Sequence, residues 1–194
     1  ERSVLPLGLF KLMRPYVDQI DNIHMIEQVM YSKELGLAGQ TDCIAEYNGK
    51  LSVIDFKTAN KERKESWIDN YFLQCTAYAT MYKELYGKNI DQIVVLIASE
   101  DGAMQSFIKE TKDYIEPLKK SIEEFYKYFH EQVKICREAG LITNTSLVIG
   151  YPEETKETID ETMSKLEALN VYPSAGFLLP LPETGMWNYA IENG

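Results

Sequence analysis

Residues 39–58 read Gly39-Gln-Thr-Asp-Cys-Ile-Ala-Glu-Tyr-Asn-Gly-Lys-Leu-Ser-Val-Ile-Asp-Phe-Lys-Thr58, and the turn in their middle decides the fold. Asn48-Gly49 is the strongest short-range signal for a two-residue hairpin. With 48 and 49 as the turn, 47 faces 50 and 46 faces 51, and the same count sets Asp42 opposite Asp55. Directly opposed strand residues have Cβ atoms roughly 4.5–5.5 Å apart, so two carboxylates there repel unless something offsets them. A divalent cation is the simplest offset. Lys57 lies two residues past Asp55 and therefore points to the same face of its strand. Two carboxylates and a lysine converge, a combination suited to metal-dependent hydrolysis.

Away from the aspartates both faces of this hairpin are apolar. Ile44, Leu51 and Val53 lie on one face, and Cys43, Ile54 and Phe56 on the other. A sheet apolar on both sides is covered on both sides, which predicts an α/β sandwich. Around the hairpin, the spacing predicts a helix over 4–20 and a strand over Met25–Tyr31, with hairpin arms at Leu37–Tyr47 and Leu51–Thr58. A helix is expected over Ser66–Tyr86, with Ser66 a candidate N-cap and Gly87 its stop. Gln92–Ala98 reads as a buried strand and Met104–Lys109 as an edge strand. A long helix over Thr111–Gly140 is expected to carry Tyr114, Leu118, Ile122, Phe125, Tyr126 and Phe129 on one side. Pro117 should kink that helix or delay its start.

The 194 residues allow one medium domain, or one with a small appendage. Hydrophobic residues make up 45% and charged residues 26%, as in ordinary folded proteins. No apolar run approaches the roughly 20 residues of a membrane span. No signal-peptide pattern is seen, and the chain begins at Glu1 rather than Met, consistent with a missing natural N-terminus. Cys43, Cys75 and Cys136 are far apart and have neither CxxC nor CxxxCxxC spacing. They read as reduced, partly buried thiols, which suits a cytoplasmic setting.

A net charge of −10 argues against nucleic-acid binding by the whole surface but leaves room for a local basic groove. Lys57, Lys61, Arg63 and Lys64 fall within eight residues beside the carboxylates. Such a run is ordinarily a solvated loop; its position makes Lys61, Arg63 and Lys64 candidate phosphate contacts.

Mg²⁺ prefers oxygen ligands and is commonly held by one or two carboxylates plus substrate phosphate. Asp42 and Asp55 fit that need, with the Phe56 carbonyl as a possible third ligand. Lys57 could orient or deprotonate the attacking water, or stabilise charge on phosphorus. Gln74 and Tyr78, four apart, share a helical face and could bond phosphate oxygens or simply form helix surface. Tyr71, Tyr78 and Tyr82 could stack on bases. Glu27 is either a further acidic ligand or an exposed strand carboxylate, and His24 a surface or packing residue.

Gly39-Gln-Thr-Asp42, then Asp55-Phe-Lys57-Thr, then Gln74-x-x-x-Tyr78 on the next helix resembles the PD-(D/E)XK nuclease superfamily, nearest its RecB-like and phage or mitochondrial-type exonucleases. The resemblance covers about residues 10–132. It implies a restriction-endonuclease-like fold, a mixed central sheet flanked by helices. It also implies that Asp42 and Asp55 hold Mg²⁺ or Mn²⁺, that Lys57 is catalytic, that Gln74 and Tyr78 complete the motif, and that Glu27 is an acidic position preceding it. The implied substrate is DNA, often single-stranded ends. Relatives with an iron–sulfur cluster carry four cysteines; this chain lacks that set, so no cluster is expected.

From about residue 133 the pattern changes. Helix 133–139, strand Ser146–Ile149, helix Glu154–Leu169 and strand Ser174–Leu179 make half a turn of a parallel β/α protein, closed by Pro180-Leu-Pro182. Leu147-Val-Ile-Gly-Tyr-Pro-Glu-Glu-Thr155 and Leu179-Pro-Leu-Pro-Glu-Thr-Gly185 resemble the later part of a radical SAM barrel, without its cluster cysteines or first strands. The expected organisation is a nuclease-like domain over 1–132 and a β/α barrel fragment over 133–194. Two other readings stay open: a radical SAM fragment, and a catalytically inactive nucleic-acid-binding module.

Overall fold

The computed structural model describes residues 4–149, 154–177 and 189–192. The chain divides into two compact units, residues 1–123 and 124–194. In the first, helix α1 (Val4–Val17) precedes strands β1 (Ile20–Ser32), β2 (Leu37–Tyr47) and β3 (Lys50–Ala59). A 3₁₀ turn (Glu65–Trp67) and helix α2 (Asp69–Tyr86) follow, then β4 (Gln92–Ser99), β5 (Met104–Glu110) and the start of α3 (Lys112–Glu138). The five strands form one sheet in the order β1-β2-β3-β4-β5. Only the β3–β4 pair is parallel. Parallel neighbours need a crossover, and α2 supplies it.

The turn behaves as its residues require. Asn48 and Gly49 have φ of 53° and 73°, the two positive values of a type I′ hairpin. The register runs Tyr47↔Lys50 to Cys43↔Ile54, as the turn predicts. There the ladder stops and the strands fork: β2 continues against β1 through Gln28↔Thr41, while β3 continues against β4 to Ala59↔Ser99.

Both faces of the sheet are covered, as the apolar alternation requires. Ile44, Val53, Ile93, Val95 and Ile97 pack with Phe72, Cys75, Tyr78, Ala79 and Met81 of α2 and with Leu118 of α3. Cys43, Ala45, Tyr47, Ile54, Val94 and Leu96 form the opposite layer, with Tyr16 of α1 against them. β1 carries an irregularity. Between Asp21↔Glu46 and Met25↔Ile44 it advances four residues while β2 advances two.

One expectation for the helices needs correction. Ser66 does not cap α2; it lies inside the 3₁₀ turn, and the helix begins at Asp69 after Ile68, with no side-chain cap. Ile68 is buried, so packing rather than a hydroxyl sets this end. Gly87, at φ 70°, does end the helix, and its N–H bonds to the Lys83 carbonyl. Of the two effects expected of Pro117, a delayed start is not seen: α3 begins at Lys112 with the proline inside it. The apolar side expected along α3 also divides: Tyr114, Leu118 and Ile122 pack on the first unit's core, whereas Phe125, Tyr126 and Phe129 are exposed.

In the second unit, β6 (Asn144–Ile149) and β7 (Tyr172–Phe177) pair in parallel around helix α4 (Lys156–Leu169). Thr155 caps α4: its hydroxyl accepts from the Thr158 N–H while the Thr158 hydroxyl accepts from the Thr155 N–H. Pro180-Leu-Pro182 lies outside the described residues.

Candidate active site

The fork between β2 and β3 is where the site forms. Asp42 is the first β2 residue beyond the ladder, and its Oδ2 accepts the Phe56 backbone N–H at 2.9 Å. A carboxylate thus binds a β3 backbone donor where ladder pairing has ended. One residue back on β3, Asp55 is 1% exposed. Its Oδ1 accepts from Lys57 Nζ at 2.8 Å, and its buried Oδ2 has no hydrogen-bond partner. Lys57 does share Asp55's face, as the strand period requires, and its ammonium lies 5.2 Å from the Tyr71 ring centroid.

Burial pushes the Asp55 carboxyl above its usual range; Lys57 counteracts this, and the charge of Asp42 adds to it. Burial works to lower the Lys57 ammonium, but the hydrogen bond to Asp55 and the charges of Asp55 and Asp42 outweigh it, so the net shift is upward. Two thiols adjoin the carboxylates. Cys75 is fully buried, and burial, then Asp55, holds it well above the ordinary thiol range. Cys43 is pushed up to about 11 by burial and by Asp42. Both are unreactive thiols at neutral pH.

On α2, Gln74 Nε2 donates to the Tyr78 hydroxyl at 3.1 Å, so these residues bond each other. Tyr78 lies against Gly39, where an added Cβ would sit 2.9 Å from its ring. Glu27 falls at the β1 position opposite Asp42, between Ile26↔Cys43 and Gln28↔Thr41, with φ 52°. Its carboxylate accepts from Gln40 Nε2 at 2.8 Å. Glu27 and Asp42 both line a cleft of about 520 Å³ whose other walls are Val17, Ile20, Ile23, Ile26, Cys43 and Phe56. His24 pairs with the Tyr82 hydroxyl at 3.2 Å and stays out of the cluster.

Lys61, Arg63 and Lys64 lie exposed on the loop between β3 and α2. The structure does not bring them onto the carboxylates. Instead the loop is tied to β5: Arg63 N–H donates to Gln105 Oε1 and Gln105 Nε2 donates to Arg63 O, both at 2.8 Å.

Among the described residues, no three His, Cys, Asp or Glu side chains cluster closely enough to hold a metal unaided. The donor set nevertheless fits a hard divalent cation that keeps waters and takes substrate oxygens. Two carboxylates on neighbouring strands and a buried, unpartnered carboxylate oxygen suit it.

The sequence profile of the PD-(D/E)XK nuclease superfamily matches residues 8–165. The chain belongs to that superfamily. As a PD-(D/E)XK nuclease it is 29% identical over 107 residues to mitochondrial genome maintenance exonuclease 1 of Homo sapiens, covering 53% of this chain and 31% of that protein. The mouse protein of the same name is 30% identical over 100 residues, covering 50% and 29%. The chain therefore spans about a third of the length of these relatives. An uncharacterized methyltransferase of Pyrococcus horikoshii matches at 34% over 64 residues, covering 32% of this chain and 14% of that protein. A solved structure from Eubacterium rectale, named a "putative exonuclease", superposes with a TM-score of 0.44 at 13% identity, over 61% of this chain and 48% of that one. The five-stranded mixed sheet flanked by helices is the restriction-endonuclease-like arrangement expected of a PD-(D/E)XK nuclease.

Sequence reasoning missed the Phe56 N–H as the partner of Asp42, and the two thiols flanking the carboxylates. The position of Phe56 between Asp55 and Lys57 was the only signal for the first. For Cys75, twenty residues past Asp55, the signal was its place between Gln74 and Tyr78.

Proposed function

We propose that this nuclease is a metal-dependent DNA exonuclease acting on single-stranded ends, with Asp42 and Asp55 as metal ligands and Lys57 as the catalytic cation. The observation that carries the reading is the buried Asp55 Oδ2 without a partner, one strand away from Asp42, on a carboxylate whose Oδ1 is bridged to Lys57. A bound Mg²⁺ or Mn²⁺ would supply Lewis-acid polarisation of the phosphate and an acidified water. Asp42, whose Oδ2 accepts the Phe56 N–H, would hold the metal through its other oxygen. Lys57 has its proton affinity raised by two carboxylates, so at neutral pH it acts as a donor and positive charge. It orients water and offsets charge that develops on the phosphate oxygens. Gln74 and Tyr78, already bonded to each other, position the α2 side of the substrate. Glu27 would serve as an outer acidic group, since Gln40 occupies its carboxylate.

The β6–α4–β7 segment is proposed as a separate appendage, a β/α barrel fragment over 133–194 joined to a nuclease domain over 1–132. Its support is that, among the described residues, β6 and β7 pair in parallel as a two-stranded sheet of their own. A chain ending at Gln132 should then retain cleavage.

End-labelled single- and double-stranded DNA with Mg²⁺ or Mn²⁺, comparing 5′ and 3′ labels, tests the main reading. Asp55→Ala and Lys57→Ala should each abolish cleavage; undiminished activity in both would sink the assignment. Binding without cleavage at every metal tried would favour an inactive nucleic-acid-binding module.

A further inference from the structure

Trp67 ends the 3₁₀ turn between β3 and α2 and is 63% exposed, a large apolar ring held in solvent. Several contacts hold the turn that carries it. Gln105 binds both backbone groups of Arg63 at 2.8 Å, Glu65 is paired with Lys109, and Ile68, the next residue, is 1% exposed in the core. The indole is therefore displayed by a pre-organised segment rather than left on a loose one.

A lysine lies against the ring. Lys64 Nζ lies 5.3 Å from the Trp67 centroid. Among the described residues, none of Lys61, Arg63 and Lys64 has a carboxylate within 4.0 Å, although the chain as a whole carries −10. Four residues past Trp67, Tyr71 lies 5.2 Å from Lys57 Nζ. From the catalytic lysine outward there is thus a succession of cation, aromatic ring, aromatic ring and cation. Two aromatic residues between Lys57 and Lys64, the latter without a carboxylate within 4.0 Å, suit a flexible polyanion whose bases are free to stack.

We infer that Trp67 and Lys64 form a subsite for single-stranded nucleic acid, in which a nucleobase stacks on the indole and Lys64 meets the adjoining phosphate. The inference rests on the nuclease reading and adds where the strand runs: along the β3–α2 loop, past Tyr71, to Lys57 and the carboxylates. A base paired within a duplex has no free face for the ring, so duplex binding does not use Trp67.

The chain has two tryptophans, Trp67 and Trp187, so a Trp187→Phe background makes Trp67 the sole indole reporter. In that full-length background, without divalent metal, oligothymidylate should quench the indole emission, and a duplex of equal length should not. Trp67→Ala should weaken oligothymidylate binding by roughly five- to 150-fold, the range for losing one stacked base. Trp67→Phe, which keeps an aromatic face, should recover most of that loss. Lys64→Ala should lower the slope of log affinity against log salt by about 0.7. Oligothymidylate binding by Trp67→Ala within twofold of the parent, or indole quenching by duplex equal to that by single strand, would overturn the subsite. Should Trp67→Ala fold poorly, the quenching titration and Trp67→Phe still decide. Cleavage by the wild type with unaltered binding by Trp67→Ala would remove the subsite and leave the nuclease. Trp67-dependent binding without cleavage would do the reverse.

Discussion

Gly39→Ala should destabilise the first unit because a single methyl group meets the ring of Tyr78. The added Cβ would lie 2.9 Å from Tyr78 Cε1 and 3.1 Å from its hydroxyl oxygen. Carbon atoms pack comfortably at about 3.5–4.0 Å, so the ring edge must retreat by roughly 0.6–1.1 Å. Tyr78 is 7% exposed and packed within the core on that face of the sheet, so the ring has little room to move. Retreat also strains the 3.1 Å bond from Gln74. Overpacking of this kind costs about 1–3 kcal/mol. For a chain of this size, each kcal/mol lowers Tm by about 2–4 °C, so a fall of about 2–12 °C is expected. Gly39 lies within β2 without a positive φ, so the cost is steric and depends on Tyr78. Thermal denaturation of the wild type, Gly39→Ala, Tyr78→Leu and the double variant forms the cycle that checks it. In the Tyr78→Leu background the glycine substitution should cost only a few tenths of a kcal/mol. Unchanged melting for Gly39→Ala, or an equal loss in both backgrounds, would refute the reasoning.

Gly49→Ala offers a contrast. Nothing lies within 4 Å of its Cβ position, and φ is +73°, so the cost is conformational alone. About 1–2 kcal/mol is expected in denaturant titration, with no dependence on Tyr78. Saturating Mg²⁺ should raise the wild-type Tm, since a ligand at 100 times its Kd adds about 2.7 kcal/mol. A thermal-shift assay against EDTA should show that rise abolished in Asp55→Asn. The raised pKa of Asp55 also has a sign: the fold holds this proton more tightly than the unfolded chain does. Metal-free wild type should therefore gain stability relative to Asp55→Asn as pH falls from neutral through the raised Asp55 value toward the ordinary carboxylate range. Lys57 behaves oppositely. Its raised pKa contributes stability below the ordinary lysine value, and the advantage of wild type over Lys57→Met should fade as pH climbs through and above that range. Urea titrations across pH check both.

Much of the site was legible because it depends on short-range rules. The Asn48-Gly49 turn carried the register to Cys43↔Ile54, and strand alternation put Lys57 beside Asp55. The covering of both sheet faces followed from the apolar pattern of β2 and β3. The Ser66 cap failed for a comparable reason: a hydroxyl at a plausible distance is a weak local signal, and the buried side chain of Ile68 outweighed it. The division of α3 after Ile122 was not legible either. Apolar periodicity continues to Phe129, and it does not show which of these side chains the core takes up.

The sequence alone determined which residues stand opposite one another near the hairpin, and which strand face each occupies. Those properties reside in two turn dihedrals and a period of two. The tertiary structure decided that β2 and β3 part company at Asp42. β3 continues along β4 and β2 along β1, and neither partner is specified within the hairpin. It also decided that Asp55 is buried with one oxygen unmatched and that Gly39 lies against Tyr78. Gln105, some forty residues away in the chain, holds the loop that displays Trp67. Desolvation and close contact arise from segments that meet only on folding, so no local pattern could have announced them.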